Sequence, residues 1–165
     1  MLFVCAIIGL LSSIAVPRLL KARSAANAAS AISSLRAISS GQFTFALTCG
    51  GGFYAPTLTQ LAKAPPGAPE GFIRGDLSLS DTVDKGGYTI QMSATAFPSA
   101  PDTCNFLGPG VTGAGFKAGA DSIDPANLNF YAVNGSHAIW VDTASLYAGM
   151  PEVGDPPSAT AHPIR

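Results

Sequence analysis

The chain opens on an apolar run. From Met1 to Val16 every residue is apolar or small except Ser12 and Ser13. As a helix this run covers only about 24 Å, short of the ~20 residues that an ordinary span of a ~30 Å bilayer core requires. Pro17 and the cations Arg18, Lys21 and Arg23 follow it. The pattern then changes: Ala28, Ile32, Leu35, Ile38, Gln42, Phe43 and Phe45 recur at roughly helical spacing, with Ser30, Ser33, Arg36 and Ser40 on other faces. This predicts one helix reaching about Thr48 and stopping before Gly50-Gly51-Gly52, a rod of about 70 Å. Its second half should back onto a globular part through Ile32, Leu35, Ile38, Phe43 and Phe45, while its first half projects.

Phe53 to Pro69 reads as a connection holding a short helix around Thr57 to Lys63, capped by Thr57 and stopped by Pro65 and Pro66. Strand signals are Tyr88 to Thr95, where Tyr88, Ile90, Met92 and Ala94 alternate, then Asn129 to Val133 and Ala138 to Asp142. The last two flank Asn134-Gly135, which suits a tight hairpin. Ile139 and Val141 should share the face toward the helix, with Trp140 on the other. The expected fold is therefore α+β, a long N-terminal helix packed by its second half on a small antiparallel sheet. Its expected divisions are an apolar helix over 1–25 and a head over 26–165, with the helix ending near 48, a connecting loop at 49–86, the sheet at 87–148 and a tail at 149–165. The tail has four prolines in seventeen residues, the composition of a mobile segment, and is expected to be ordered only where another surface, such as a neighbouring copy, holds it.

Composition fits this picture. A chain of 165 residues with 47% hydrophobic content is one domain in size, and eighteen Gly with thirteen Pro call for many turns rather than a helical bundle. The net charge of -1 conceals a segregation: residues 1–69 hold five basic residues and no acid, whereas residues 70–165 hold all ten acids and four basic residues. Opposite charge on two parts of one molecule favours head-to-tail association of copies, the plainer alternative being a solvated basic helix face. Nucleic-acid binding is not expected, because the cations are few and no RNA-binding pattern accompanies them.

Of three cysteines, Cys5 lies inside the apolar run, which leaves Cys49 and Cys104 as the natural pair. A bridge between them implies an oxidising compartment. Two unpaired thiols are the alternative, and metal ligation is weaker still because no CxxC or neighbouring His completes a set. A secretory signal carries its basic residues before the apolar run, and here that order is reversed. By the positive-inside rule Arg18, Lys21 and Arg23 would hold the head on the cytoplasmic side, in conflict with the cysteines unless a basic leader once preceded Met1.

The stretch AIIGLLSSIAVPRLLKAR from Ala6 to Arg23 resembles the N-terminal helix of type IV pilins and the related pseudopilins, whose apolar run ends AIIGILAAIAIP and continues as an amphipathic helix. The match is continuous over Ala6 to Pro17. The resemblance implies a structural subunit: a leader removed and the new terminus methylated by a prepilin peptidase, storage in the inner membrane, and assembly by an ATPase-driven machine into an extracellular filament of identical copies. It assigns Leu2, Phe3, Val4, Ala6, Ile7, Ile8, Leu10, Leu11, Ile14 and Val16 to the filament core, and Gly9, Ser12, Ser13 and Pro17 to a stretch that kinks or melts on packing. The residues agree with a weak point there, because Pro17 cannot donate to the carbonyl of Ser13 and Gly9 lowers helix propensity. The departure lies at the start. The family's glutamate near the mature terminus has no counterpart, since no acid precedes Glu70, and the alignment on Pro17 leaves about five residues wanting ahead of Met1. Within the family, a secretion pseudopilin or a minor pilin is the alternative; from a different class, it is a membrane-anchored ectodomain that binds a ligand or acts as an enzyme without polymerising.

Chemical motifs are sparse, and no catalytic set, cofactor site or metal site is expected. His137 and His162 read as surface histidines, Ser136-His137 is adjacency without a triad, and GPGVTGAG lacks the Lys of a phosphate loop. Asp81 with Asp84, and Asp121 with Asp124, lack the full spacing of calcium ligands. Asn134-Gly135-Ser136 matches a glycosylation sequon, but a turn accounts for it. Phe3, Phe43, Phe45, Phe53 and Tyr54 read as core and packing residues rather than a conduction path.

Overall fold

A computed structural model describes residues 2–125 and 127–164, with side chains from residue 15 onward. Helix α1 spans Leu2–Thr48 without interruption at Pro17, and α2 is the short Leu58–Leu61. Six strands follow: β1 Thr82–Lys85, β2 Tyr88–Ser93, β3 Lys117–Ser122, β4 Phe130–Asn134, β5 Ile139–Asp142 and β6 His162–Pro163. They form one antiparallel sheet in sequence order, a meander with β1 and β6 as edges.

Every third or fourth residue of α1 from Ala31 to Phe45 faces the head. Leu35, Ile38 and Phe45 are fully buried there with Tyr88, Ile90, Ala118, Ala120 and Val133, and Ile32 packs at the margin of this core. Phe43, expected on the same face, is half exposed. The reason is angular: at 100° per residue Phe43 lies two residues from Phe45 and so on the helix flank. Gln42 is the fully buried polar residue on the packing face. Its Nε2 donates to the Ala55 carbonyl at 2.7 Å and its Oε1 accepts from the Ala55 N–H at 2.9 Å, tying the returning chain to α1. The bond between Cys49 and Cys104 closes the same end across 55 residues, with Cα atoms 4.8 Å apart. On the chain-entropy account such a closure contributes about 4 kcal/mol. Thr57 caps α2, accepting from the Gln60 N–H.

The three expected strands form within a residue or two of their expected ends, and the sheet is larger than 87–148. β1 falls inside the supposed connecting loop. It is a polar edge strand joined to β2 by Gly86-Gly87, whose φ values of 60° and 76° make the two-residue turn that only such residues adopt easily. β3 was unforeseen because KAGADS is small and polar rather than alternating. The Asn134-Gly135 turn is also wider than a two-residue hairpin: the His137 N–H closes on the Asn134 carbonyl at 2.8 Å, and the left-handed residue is His137, at φ 61°.

The tail is held by its own molecule, a correction to its expected reliance on another surface. β6 pairs with β5, and Trp140 packs with Leu146, Met150 and Ala161 on the sheet face away from α1. Buried Asn134 donates to the carbonyls of Pro151 and Gly154 at 3.0 and 2.6 Å, which also leaves its amide unavailable for glycosylation. The Gly135 N–H donates to the Glu152 carbonyl at 2.9 Å, and a Cβ at Gly135 would stand 3.0 Å from that oxygen.

Replacing Gln42 by Leu leaves the Ala55 N–H and carbonyl buried without partners. The expected loss is about 2–4 kcal/mol, read as a lower midpoint in chemical denaturation at unchanged m-value.

Candidate functional site

The head leaves α1 near Asn27. The Gly86-Gly87 turn approaches Asn27 and Ser30, and residues 15–26 are exposed. Val16, Leu19 and Leu20 are 55%, 69% and 61% exposed beside Arg18, Lys21 and Arg23. The remaining residues assigned to a filament core, Leu2, Phe3, Val4, Ala6, Ile7, Ile8, Leu10, Leu11 and Ile14, belong to the same helix, as do Gly9, Ser12 and Ser13, but their side chains lie outside the described residues. Among the described residues no helix is long and apolar enough to cross a membrane.

Two recesses flank α1. An open cleft of about 750 Å³ lies where the helix leaves the head, lined by Lys21, Arg23 and Asn27 on one side and by Gly86, Asp124 and Asn127 on the other. A shallower groove of about 360 Å³ lies between α1 and the β4–β5 turn, lined by Arg36, Ser39, Ser40, Phe43, His137 and Ile139. In it the His137 ring stands edge-on to Phe43 at 5.5 Å and contacts Phe116 at 5.8 Å, while the Ser39 hydroxyl lies 2.7 Å from its Nδ1. No sequence signal pairs Ser39 with His137, 98 positions away. Among the described residues no carboxylate meets the other ring nitrogen, so the pair lacks the third member that orients a catalytic base.

Three of the four carboxylates weighed for calcium, those of Asp81, Asp84 and Asp121, accept from hydroxyls. Asp81 accepts from the Thr59 N–H and hydroxyl, and although partial burial raises its pKa, these bonds and Thr57 bring it below the ordinary value. Asp84 accepts from Thr89 at 2.7 Å, and Asp121 from Ser145 at 2.7 Å, with burial pushing Asp121 up. Among the described residues no group of three or more His, Cys, Asp or Glu is placed to hold a metal. Charge remains segregated. The ion pairs Arg74–Glu70 and Lys85–Asp76 both lie beyond residue 69, while Lys21 and Arg23 of α1 share the open cleft with Asp124.

Asp142 is buried where the tail crosses β5. The Ser158 hydroxyl, then that of Thr160 at 2.6 Å, and the Thr143 N–H at 2.6 Å hold its carboxyl below the ordinary value of 3.8. A carboxyl depressed in the fold contributes stability that is present above 3.8 and is lost as pH falls through the folded value. Acidification is therefore expected to loosen the tail, seen as a red shift of emission from Trp140, the single tryptophan. Asp142→Asn should show a shifted emission already at neutral pH and little further change in acid.

Burial disfavours the charged imidazolium form of His137, so its pKa lies below 6.5. Its contribution is present above 6.5 and falls as pH drops toward the folded value. A proton-NMR titration should find the His137 ring titrating below 6.5.

Searches against family models, curated proteins and solved structures find no match to this chain.

Proposed function

We propose that this chain is the structural subunit of a type IV pilus or a closely related pilin-like filament. One observation carries the reading: a single helix is covered on one side by its own head over its second half, yet projects beyond that head with apolar side chains uncovered. Covering Val16, Leu19 and Leu20 fully would favour assembly by roughly 1.5–3 kcal/mol each. The apolar run upstream multiplies that gain, and a bundle of identical helices supplies the cover. The likeness of Ala6 to Pro17 to the pilin helix, the α+β head and the Cys49–Cys104 bond support the same reading. On this proposal the pilin fold is the finer description of the architecture. The subunit is processed by a prepilin peptidase, waits in the inner membrane and is extruded to the cell surface.

Electron micrographs of the intact protein, produced with an assembly machine, should contain long helical filaments. Leu19→Gln with Leu20→Gln should reduce filament yield at least about tenfold while leaving Trp140 emission unchanged, since neither residue touches the head core. A solitary intact protein that stays monomeric with that machine present would leave a non-polymerising ectodomain as the function.

A further inference from the structure

Two surfaces on opposite sides of the β4–β5 turn carry complementary chemistry. On the α1 side lies the groove with Phe43 and Ile139 as its apolar lining and Arg36 at its rim. Its edge is fixed, because the His137 ring meets the Ser39 hydroxyl at 2.7 Å. On the far side the tail loop from Pro151 to Asp155 passes over Gly135 and is pinned there. The Pro151 and Gly154 carbonyls accept from Asn134, the Glu152 carbonyl accepts from the Gly135 N–H, and the Glu152 carboxylate accepts from the Thr95 N–H and hydroxyl at 2.6 and 2.7 Å. A loop held this firmly still leaves Val153 two-thirds exposed, and Gly154, at φ 93°, turns the chain between it and exposed Asp155. Residues 149–164 contain Glu152 and Asp155 and no Lys or Arg. Among the described residues neither the Asp155 carboxylate nor the Arg36 guanidinium has a hydrogen-bond or ion-pair partner.

We propose that the tail loop of one copy seats in the α1 groove of the next, Val153 covering Phe43 while Asp155 meets Arg36. The inference rests on the polymeric reading above and names a contact between heads. The two surfaces differ, so the contact is heterologous, and its repetition gives an open array wherever the rotation between copies does not close a ring. Spacing fits the pairing. Arg36 and Phe43 stand two turns apart, about 10 Å along one flank of the helix. Val153 and Asp155 span at most about 7 Å of chain, and the long side chain of Arg36 makes up the difference. One turn of chain also sets the level of the contact: Gly135 holds the loop and His137 edges the groove, so copies meet side by side. Apolar area supplies the affinity, and the Arg36–Asp155 pair, backed by the charge of Glu152, selects which faces meet.

The test uses the full chain in assembling cells. Arg36→Glu and Asp155→Lys should each lower filament yield at least about tenfold, and the double variant, which restores opposite charge, should recover most of the loss. A chain carrying Ser40→Cys and Val153→Cys should give a ladder of cross-linked subunits on oxidation, absent from either single variant. This second readout decides the matter if a charge variant disturbs the head, as Trp140 emission would report. Given wild-type filaments, three results would overturn this contact and leave the polymeric reading standing: charge variants that assemble normally, a double variant with unchanged Trp140 emission that does not recover, or the absence of a ladder. Wild-type protein that forms no filaments would overturn both.

Discussion

The burial of one face of α1, from Ala31 to Phe45, against strands β2 to β5 is the constraint on which the rest of the molecule depends. A helix presents all its faces, and a six-stranded sheet covers only one. Leu35, Ile38 and Phe45 take that face, so Arg36, Ser40, Phe43 and Leu47 remain outside whatever their polarity. The clamps on this contact are concentrated at the far end of the helix: the pair of hydrogen bonds between Gln42 and Ala55 and the disulfide from Cys49 to Cys104. At the near end the head touches α1 through a turn of two glycines beside Asn27 and Ser30. A firm grip at one end and a light one at the other leave the first half of the helix available to other surfaces.

The opposite face of the sheet is covered by different means. The tail has too few apolar residues to form a second large core, and Trp140, Leu146, Met150 and Ala161 pack there with Ala132. Two buried polar side chains organise the remainder. Asn134 saturates tail carbonyls with its amide while its oxygen accepts from Ser136, and Asp142 gathers the hydroxyls of Ser158 and Thr160. Buried polar groups with all their partners in place order a segment that hydrophobic burial alone would leave loose.

This explains what was legible in the sequence and what was not. The helix, its end at the glycines and its packing residues Leu35, Ile38 and Phe45 follow from periodicity, and the central strands from alternation. β3 was hidden because it packs beneath α1 with Ala118 and Ala120, residues that signal no strand, and because Gly119 leaves room for Tyr147 on the other face. β1 had a readable turn in Gly86-Gly87 but no apolar alternation beside it. The tail's anchorage depends on Asn134 and Asp142 reaching across 16 to 20 positions, and no local pattern encodes that. The groove was equally invisible. Phe43 matched the helical stripe by type, and only the angle between it and Phe45 puts it outside the core.

The unequal treatment of charge completes the physical picture. Asp81, Asp84, Asp121 and Asp142 each accept from a Ser or Thr hydroxyl, although Oδ1 of Asp121 is buried without a hydrogen-bond partner. The α1 cations Arg18, Lys21, Arg23 and Arg36 are exposed. At physiological salt their field decays over about 8 Å, too short to organise copies at a distance. Such charges matter at contact, where an opposite partner selects orientation and a like one excludes it. A helix that exposes both apolar area and cations carries the two features on which the proposed self-association draws, adhesion from the one and orientation from the other.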